Sequence, residues 1–213
     1  MSEIYDEDYF MRGKETGKSL YENYRWLPDL TIPMASAMIR HLGIRHNDTI
    51  LDYGCARGYT VKAFREMGYS ARGIDVSEWA IQNADEDTKP YLQLVKEVPP
   101  LISREFSWVV AKDVLEHIRQ VDSTIISLRN AASVGVFAVV PLSVEDNGRY
   151  VVEAYEKDVT HIHRLTLGTW AELFMRPGWS VEASYRVKGI KDSYYCPVWE
   201  TGNGFIVARR TAE

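Results

Sequence analysis

The sequence predicts an α/β fold: one mostly parallel sheet with helices on both faces and an antiparallel last strand. Three observations predict it. Strand-like apolar runs alternate with helix-spaced segments through most of the chain, which is the pattern of a parallel sheet layered between helices. The run "VGVFAVVP" (134–141) is almost continuously apolar, as a strand covered on both faces must be. The last two strand-like stretches have no helical pattern between them, so they are expected to pair as an antiparallel hairpin.

Taken in order, the first thirty residues are rich in rings: Tyr5, Tyr9, Phe10, Tyr21, Tyr24 and Trp26. A helix is expected after Pro33, with Met34, Met38, Ile39 and Leu42 at helical spacing. "DTILDYG" is the first strand, Tyr59 to Met67 a helix, and "SARGID" the second strand. A helix opens after Ser77, whose hydroxyl suits an N-cap. "YLQLV" is a weaker third strand, "FSWVVAKD" a fourth, and helical residues then run to Ala132. After the fifth strand, Leu167 to Met175 is helical, and "WSVEASYRV" and "GNGFIVARR" close the chain as strands. Two long polar segments, 142–164 and 188–202, stand out as functional loops.

A length of 213 residues suits a single domain. The composition, 46% apolar and 26% charged, is that of a globular protein. No run is long enough to cross a bilayer, and the acidic start "MSEIYDEDYF" lacks a secretory signal, so a cytoplasmic protein without a membrane partner is expected. The net charge of −5, with no long basic run, argues against a nucleic-acid partner and leaves a homodimer open. Cys55 and Cys196 have no spacing that suggests a disulfide framework or a zinc site.

The most informative stretch is "LDYGCARGYTVKAF" (51–64). An apolar run stops at Asp52, small residues fill a turn, and a helix begins at once. Small residues in that place let a ligand approach the backbone, and ligands of open parallel sheets bind beyond the strands' carboxyl ends. The spacing lacks the G-x-G-x-x-G of a dinucleotide site, and no Lys-Ser/Thr pair makes it a P-loop.

The pattern D-x-G-C-x-x-G, with Asp75 ending the second strand, resembles motif I of class I S-adenosylmethionine-dependent methyltransferases, whose common form is D/E-x-G-x-G-x-G. "RGIDVSEWAI" is similar to that family's acidic second-strand end, "FSWVVAKDVLEHI" to its fourth-strand motif, and "THIHRLTLGTWAELFMRPGW" to a late segment of its small-molecule members. The resemblance covers about residues 49–179. It implies a three-layer αβα, Rossmann-like fold with a seven-stranded sheet. It also implies S-adenosyl-L-methionine as cofactor and methyl transfer to a small-molecule acceptor, with oxygen as the expected target. Residues 1–47 would form a helical lid and 48–213 the cofactor-binding core.

By that resemblance, Asp52, Gly54, Cys55, Ala56, Gly58 and Tyr59 surround the methionine part of the cofactor. Gly54 and Gly58 keep side chains out of its space, and the helix opening near Gly58 aims N–H groups at its carboxylate. Ala56 stands where the family usually has Gly and can serve there if its φ is negative, which would tighten the pocket. Asp75 can accept both ribose hydroxyls, and Val76 would pack on the adenine. Lys112, Asp113 and Val114 would line the methionine side. The contact to the adenine amine stays open, with Glu97 as one candidate.

Asp113, Glu116 and His117 have the spacing acid-x-x-Glu-His, which holds a divalent ion in some O-methyltransferases; in many relatives the same residues only brace a helix, and no metal is assigned. His161 and His163 are the candidate catalytic bases, expected to face one side of an extended segment with Asp158 orienting one ring. Tyr9, Tyr24 and Arg25 could reach the site from the N-terminal segment, and Tyr194, Tyr195 and Trp199 could wall the acceptor. Three rivals remain: an aminopropyl transferase on the same pocket, a non-catalytic cofactor-binding module and a nicotinamide oxidoreductase.

Overall fold

The computed structural model describes residues 2–95, 104–192 and 202–211. Its strands are β1 (Thr49–Tyr53), β2 (Ser70–Asp75), β3 (Leu92–Leu94), β4 (Phe106–Lys112), β5 (Ala132–Pro141), β6 (Trp179–Ser184) and β7 (Asn203–Arg210). They form one sheet in the order β3-β2-β1-β4-β5-β7-β6. Strands β1 to β5 are parallel, whereas β7 runs antiparallel to both of its neighbours. The last strand in sequence is therefore wedged between β5 and β6. The order reverses at β1 and β4, where parallel sheets open a crevice.

The helices are α1 (Glu7–Met11), α2 (Gly13–Thr16), α3 (Pro28–Leu42), α4 (Tyr59–Glu66), α5 (Glu78–Gln82), α6 (Val121–Ala131) and α7 (Leu167–Phe174). Alternation along β5 divides the core between the two faces. Val136, Ala138 and Val140 pack with Ile125 and Leu128 of α6 and Trp170 and Phe174 of α7. Phe137 and Val139 pack on the other face with Met38 and Leu42 of α3 and Phe64 of α4. This two-sided burial explains the unbroken apolar run at 134–141.

Some boundaries differ from the sequence expectation. Helix α3 starts at Pro28 rather than after Pro33. Pro28 sits at the helix start, where no N–H is needed, and Pro33 is carried inside the helix at the loss of one ladder bond, compensated by packing of its buried face. Strand β5 begins two residues earlier, at Ala132, and β6 ends at Ser184, short of Val187. Cys196, Glu97, Tyr194, Tyr195 and Trp199 lie outside the described residues.

The N-terminal segment folds over the carboxyl ends of β1 and β2. Phe10 stacks on Trp79 at 5.5 Å between ring centres and 14° between planes, and Tyr24 lies 5.1 Å from the ring of Tyr59. Ser77 donates to the carbonyl of Tyr5 (2.6 Å), and Arg57 donates to the carbonyls of Tyr24 (3.0 Å) and Asn83 (2.7 Å). Among the described residues, no helix is long and apolar enough to cross a membrane.

Phe137 is fully buried at the centre of the sheet. Phe137→Ala is expected to lower unfolding free energy by about 3–5 kcal/mol, because the flanking strands cannot close on the void. Chemical denaturation of the variant and parent measures this; a loss under about 1 kcal/mol would mean the two faces are not packed as described.

Candidate active site

The glycine turn is held by its own backbone. The amides of Gly54 and Cys55 donate to the carbonyl of Ile74 (2.9 and 3.1 Å), tying the turn to β2. Gly54, Ala56 and Gly58 have φ of 76°, 49° and 76°. The condition of negative φ at Ala56 is not met: the turn reverses so sharply that three alternate residues go left-handed, and Ala56 is held there by its amide donating to Asp75 Oδ2 (2.7 Å). A Cβ on Gly54 would run into Val114, and one on Gly58 would meet Leu92 at 2.7 Å. These glycines are required by turn geometry and by close packing of protein on protein.

Asp75 ends β2 with its carboxylate bridging two loops. Oδ2 takes the Ala56 amide and Oδ1 takes the Ser77 amide (2.7 Å). Ser77 in turn caps α5, its Oγ accepting from the Ala80 amide (3.0 Å). Burial raises the Asp75 pKa, and these N–H bonds only partly offset it. Asp52 is buried at the end of β1, and burial pushes its carboxyl up to about 7 against the pull of Lys112.

A cavity of about 810 Å³ opens at the ends of β4 and β5 under the N-terminal segment. It is lined by Lys112, Asp113, Glu116, His117, His161 and Lys191, and by Tyr9, Tyr24, Arg25 and Tyr59 from the N-terminal side and the turn. Asp113 has φ of 56° and lies between two lysines, with Lys112 Nζ at 2.6 Å and Lys191 Nζ at 2.5 Å. Burial would raise this carboxyl, but the two cations overcome it and hold it well below the usual range. Lys191 also donates to Asn203 Oδ1 (2.9 Å), which accepts from the Tyr155 hydroxyl (3.0 Å).

Beside this pair sits an acid–imidazole cluster. Glu116 is 1% exposed, and its Oε2 has no hydrogen-bond partner among the described residues. His117 Nε2 and His161 Nε2 lie 3.8 and 3.9 Å from Glu116 Oε1, and His161 Nε2 is also 3.9 Å from Asp158 Oδ2. Burial raises Glu116 well above its ordinary value, with Asp113 adding to it. Burial lowers His117, and burial together with the neighbouring His117 lowers His161 to about 4, so both rings are neutral at pH 7. Asp158 accepts from Tyr9 Oη (3.0 Å), from the Thr160 amide (2.9 Å) and from Thr160 Oγ1 (2.5 Å).

The two histidines of the "HIH" stretch part company. A turn closes just before this stretch, with the His161 amide donating to the carbonyl of Asp158 (3.3 Å), and the two rings find different partners. His161 faces the cavity; His163 Nε2 pairs with the carbonyl of Ile118 (2.7 Å) beside Trp170. Asp113 also leaves the expected acid-x-x-Glu-His set, because both of its oxygens face lysines. Lys191, Asn203 and Thr160 had no local sequence signal; they come to the site through loop paths and the inserted β7. Val76 packs at the core edge near the β2 end, and Cys55 is buried where a Cβ on Gly73 would meet its sulfur at 2.6 Å.

The profile of a family described as "Methyltransferase domain" matches residues 32–184. No curated protein sequence matches the chain. Among solved structures, it is similar to a SAM-dependent methyltransferase from Archaeoglobus fulgidus, with 13% identity over 83% of this chain and 92% of that one and a TM-score of 0.64. It is similar to an S-adenosylmethionine-dependent methyltransferase from Mesorhizobium loti, with 17% identity over 81% and 96% of the two chains and a TM-score of 0.60. For a SAM-dependent methyltransferase from Aquifex aeolicus the values are 14%, 87%, 92% and 0.59. At these identities the likeness is one of fold.

The raised pKa of Asp52 has a stability consequence. The folded chain keeps the Asp52 proton up to about pH 7, while the unfolded chain releases it near 3.8. Between those values the native state binds more protons, so this group's contribution to stability falls as pH rises through the window. Asp52→Asn is expected to flatten the fall in unfolding free energy of the ligand-free protein between pH 4 and 7. Identical pH profiles for variant and parent would show that Asp52 is ionised throughout.

Proposed function

The chain belongs to the methyltransferase-domain family and is an S-adenosyl-L-methionine-dependent methyltransferase; on that premise we propose that its acceptor is a small molecule methylated at oxygen. The observation that carries this reading is the acceptor-rich end of the cavity. Neutral His161 and the carboxyl of Glu116 present hydrogen-bond acceptors there, which suits a bound hydroxyl.

The residues present fit the cofactor. Asp75 uses two of its roughly four lone-pair sites on amides, so capacity remains for two sugar hydroxyls. Val76 and Trp79 flank that position with apolar surface for a base, and Asp52 would ionise fully when a cationic amine arrives. Gly54, Cys55, Ala56, Gly58 and Tyr59 shape the turn beside the site, and Lys112, Asp113 and Val114 close it from β4. When bound, S-adenosyl-L-methionine supplies an electrophilic methyl carbon on a sulfonium sulfur.

The chain's own task is alignment and exclusion of water. Positioning of this kind can contribute on the order of 7–11 kcal/mol. The N-terminal segment, carrying Tyr9, Tyr24 and Arg25, would close over both ligands. An oxygen gaining a methyl group becomes strongly acidic, so the weakly basic His161 suffices to receive its proton. His163 holds the loop through Ile118.

With methyl-labelled cofactor and a pool of hydroxylated small molecules, label is expected in an ether or ester product. Asp75→Ala should weaken cofactor binding at least tenfold by calorimetry. His161→Ala should cut turnover by roughly 10²-fold or more while cofactor affinity stays within about twofold. Label appearing only in amines or in macromolecules, or normal turnover of the His161 variant, would defeat the reading.

A further inference from the structure

We propose that the acceptor is a small hydroxy acid whose carboxylate is seated on Lys191 while its hydroxyl lies at His161. The inference rests on the acceptor-side reading above, which puts a hydroxyl beside His161 and Glu116, and it adds the chemical class of the molecule that carries it. Three charged residues where β4 ends and β7 begins support it: Lys112, Asp113 and Lys191, all of which line the cavity. One carboxylate serves two ammonium groups, Lys112 Nζ at 2.6 Å and Lys191 Nζ at 2.5 Å, so the group keeps one positive charge in excess.

The other charges on the cavity wall have their own partners. Lys14 pairs with Glu22 and Asp192 with Arg186, each at 3.1 Å. Arg25 and Asp29, of opposite sign, are exposed on the N-terminal wall. Asp158 has its charge met by hydrogen bonds donated from Tyr9 Oη, the Thr160 amide and Thr160 Oγ1. Burial, with Asp113 adding to it, keeps the proton on Glu116. An unmatched charge on a wall shielded from water is costly, and a ligand of opposite sign offsets that cost.

Lys191 carries this excess at the acceptor end. Its side chain is only 14% exposed. Lys191 and Asp113 have φ of 59° and 56°, so both partners of one ion pair hold the left-handed backbone that non-glycine residues rarely adopt. An ammonium has three N–H donors, and Lys191 uses two, on Asp113 Oδ1 and on Asn203 Oδ1 (2.9 Å). The third has no oxygen or nitrogen partner among the described residues. One spare donor and one surplus charge match a singly charged carboxylate, whereas a phosphate dianion calls for more donors. Lys112 acts toward β1, on Asp52 and Tyr24. Glu116 joins the two ends of the proposed acceptor: it feels the charge of Lys191, and its Oε1 is 3.9 Å from His161 Nε2.

The test gives the full chain methyl-labelled cofactor and a panel of aromatic and aliphatic hydroxy acids, each paired with its neutral amide and its phosphate analogue. The acids are expected to be methylated with kcat/KM at least about tenfold above their amides. Lys191→Met should raise KM for the acids at least about tenfold and bring the acid-to-amide ratio within about threefold of unity, and Lys191→Arg should restore the preference. Calorimetry of the acids into protein saturated with the demethylated cofactor should show the same loss of affinity in Lys191→Met. Amides or phosphates used as well as the acids, an acid preference unchanged in Lys191→Met, or a loss confined to cofactor affinity would overturn the seat. If Lys191→Met fails to fold, the parent's acid-to-amide ratio decides. Acids that bind through Lys191 but take no label at a hydroxyl would sink the oxygen-acceptor reading alone; label at hydroxyls without regard to the acid group would sink the seat alone.

Discussion

Burying a carboxylate is expensive unless a cation, an array of N–H groups or a proton stands beside it. The rim of this sheet buries three, Asp52, Glu116 and Asp158, and half-buries two more, Asp75 and Asp113. Most of the local architecture can be understood as the means by which each is tolerated. Asp75 is met by the amides of Ala56 and Ser77, which demands the left-handed turn at Ala56. Asp113 is met by two lysines, one of them reached only because the segment after β6 returns across the sheet. Asp158 is met by Tyr9 and Thr160. Asp52 is met by keeping its proton. Glu116 has one oxygen without any partner among the described residues, and two neutral imidazoles stand closest to it.

Such a concentration of charge follows from sheet topology. Parallel strands end on one edge, so the residues that terminate β1, β2 and β4 are neighbours in space although far apart in sequence. The reversal of strand order at β1 and β4 opens the crevice, and the insertion of antiparallel β7 beside β5 brings Asn203 to the same edge. One edge then gathers the buried acids at the ends of β1 and β2 and the cavity at the ends of β4 and β5.

The N-terminal segment covers part of this edge. Its rings cover the β2 end through Phe10 on Trp79, while Tyr9 reaches the far side to hold Asp158. One segment therefore touches both the β2 end and the Asp158 turn. Excluding water from both strengthens every polar interaction inside.

Periodicity and turn chemistry in the amino-acid sequence were enough to determine the α/β class, the succession of strands along the chain and the acidic end of β2. These properties are local: alternation, a cap at Ser77 and small residues in a tight turn act over a few positions. The helix start at Pro28 and the sign of φ at Ala56 were not legible, because packing of α3 and the Asp75 bond override local preference. Likewise, the sequence pointed to two histidines but not to their separate fates. Only the turn at Asp158 sends His161 to Glu116 and His163 to Ile118, and only the tertiary fold delivers Lys191 to Asp113. Pairings between residues distant along the chain are decided by where loops land after the sheet has formed, and no local pattern encodes that landing.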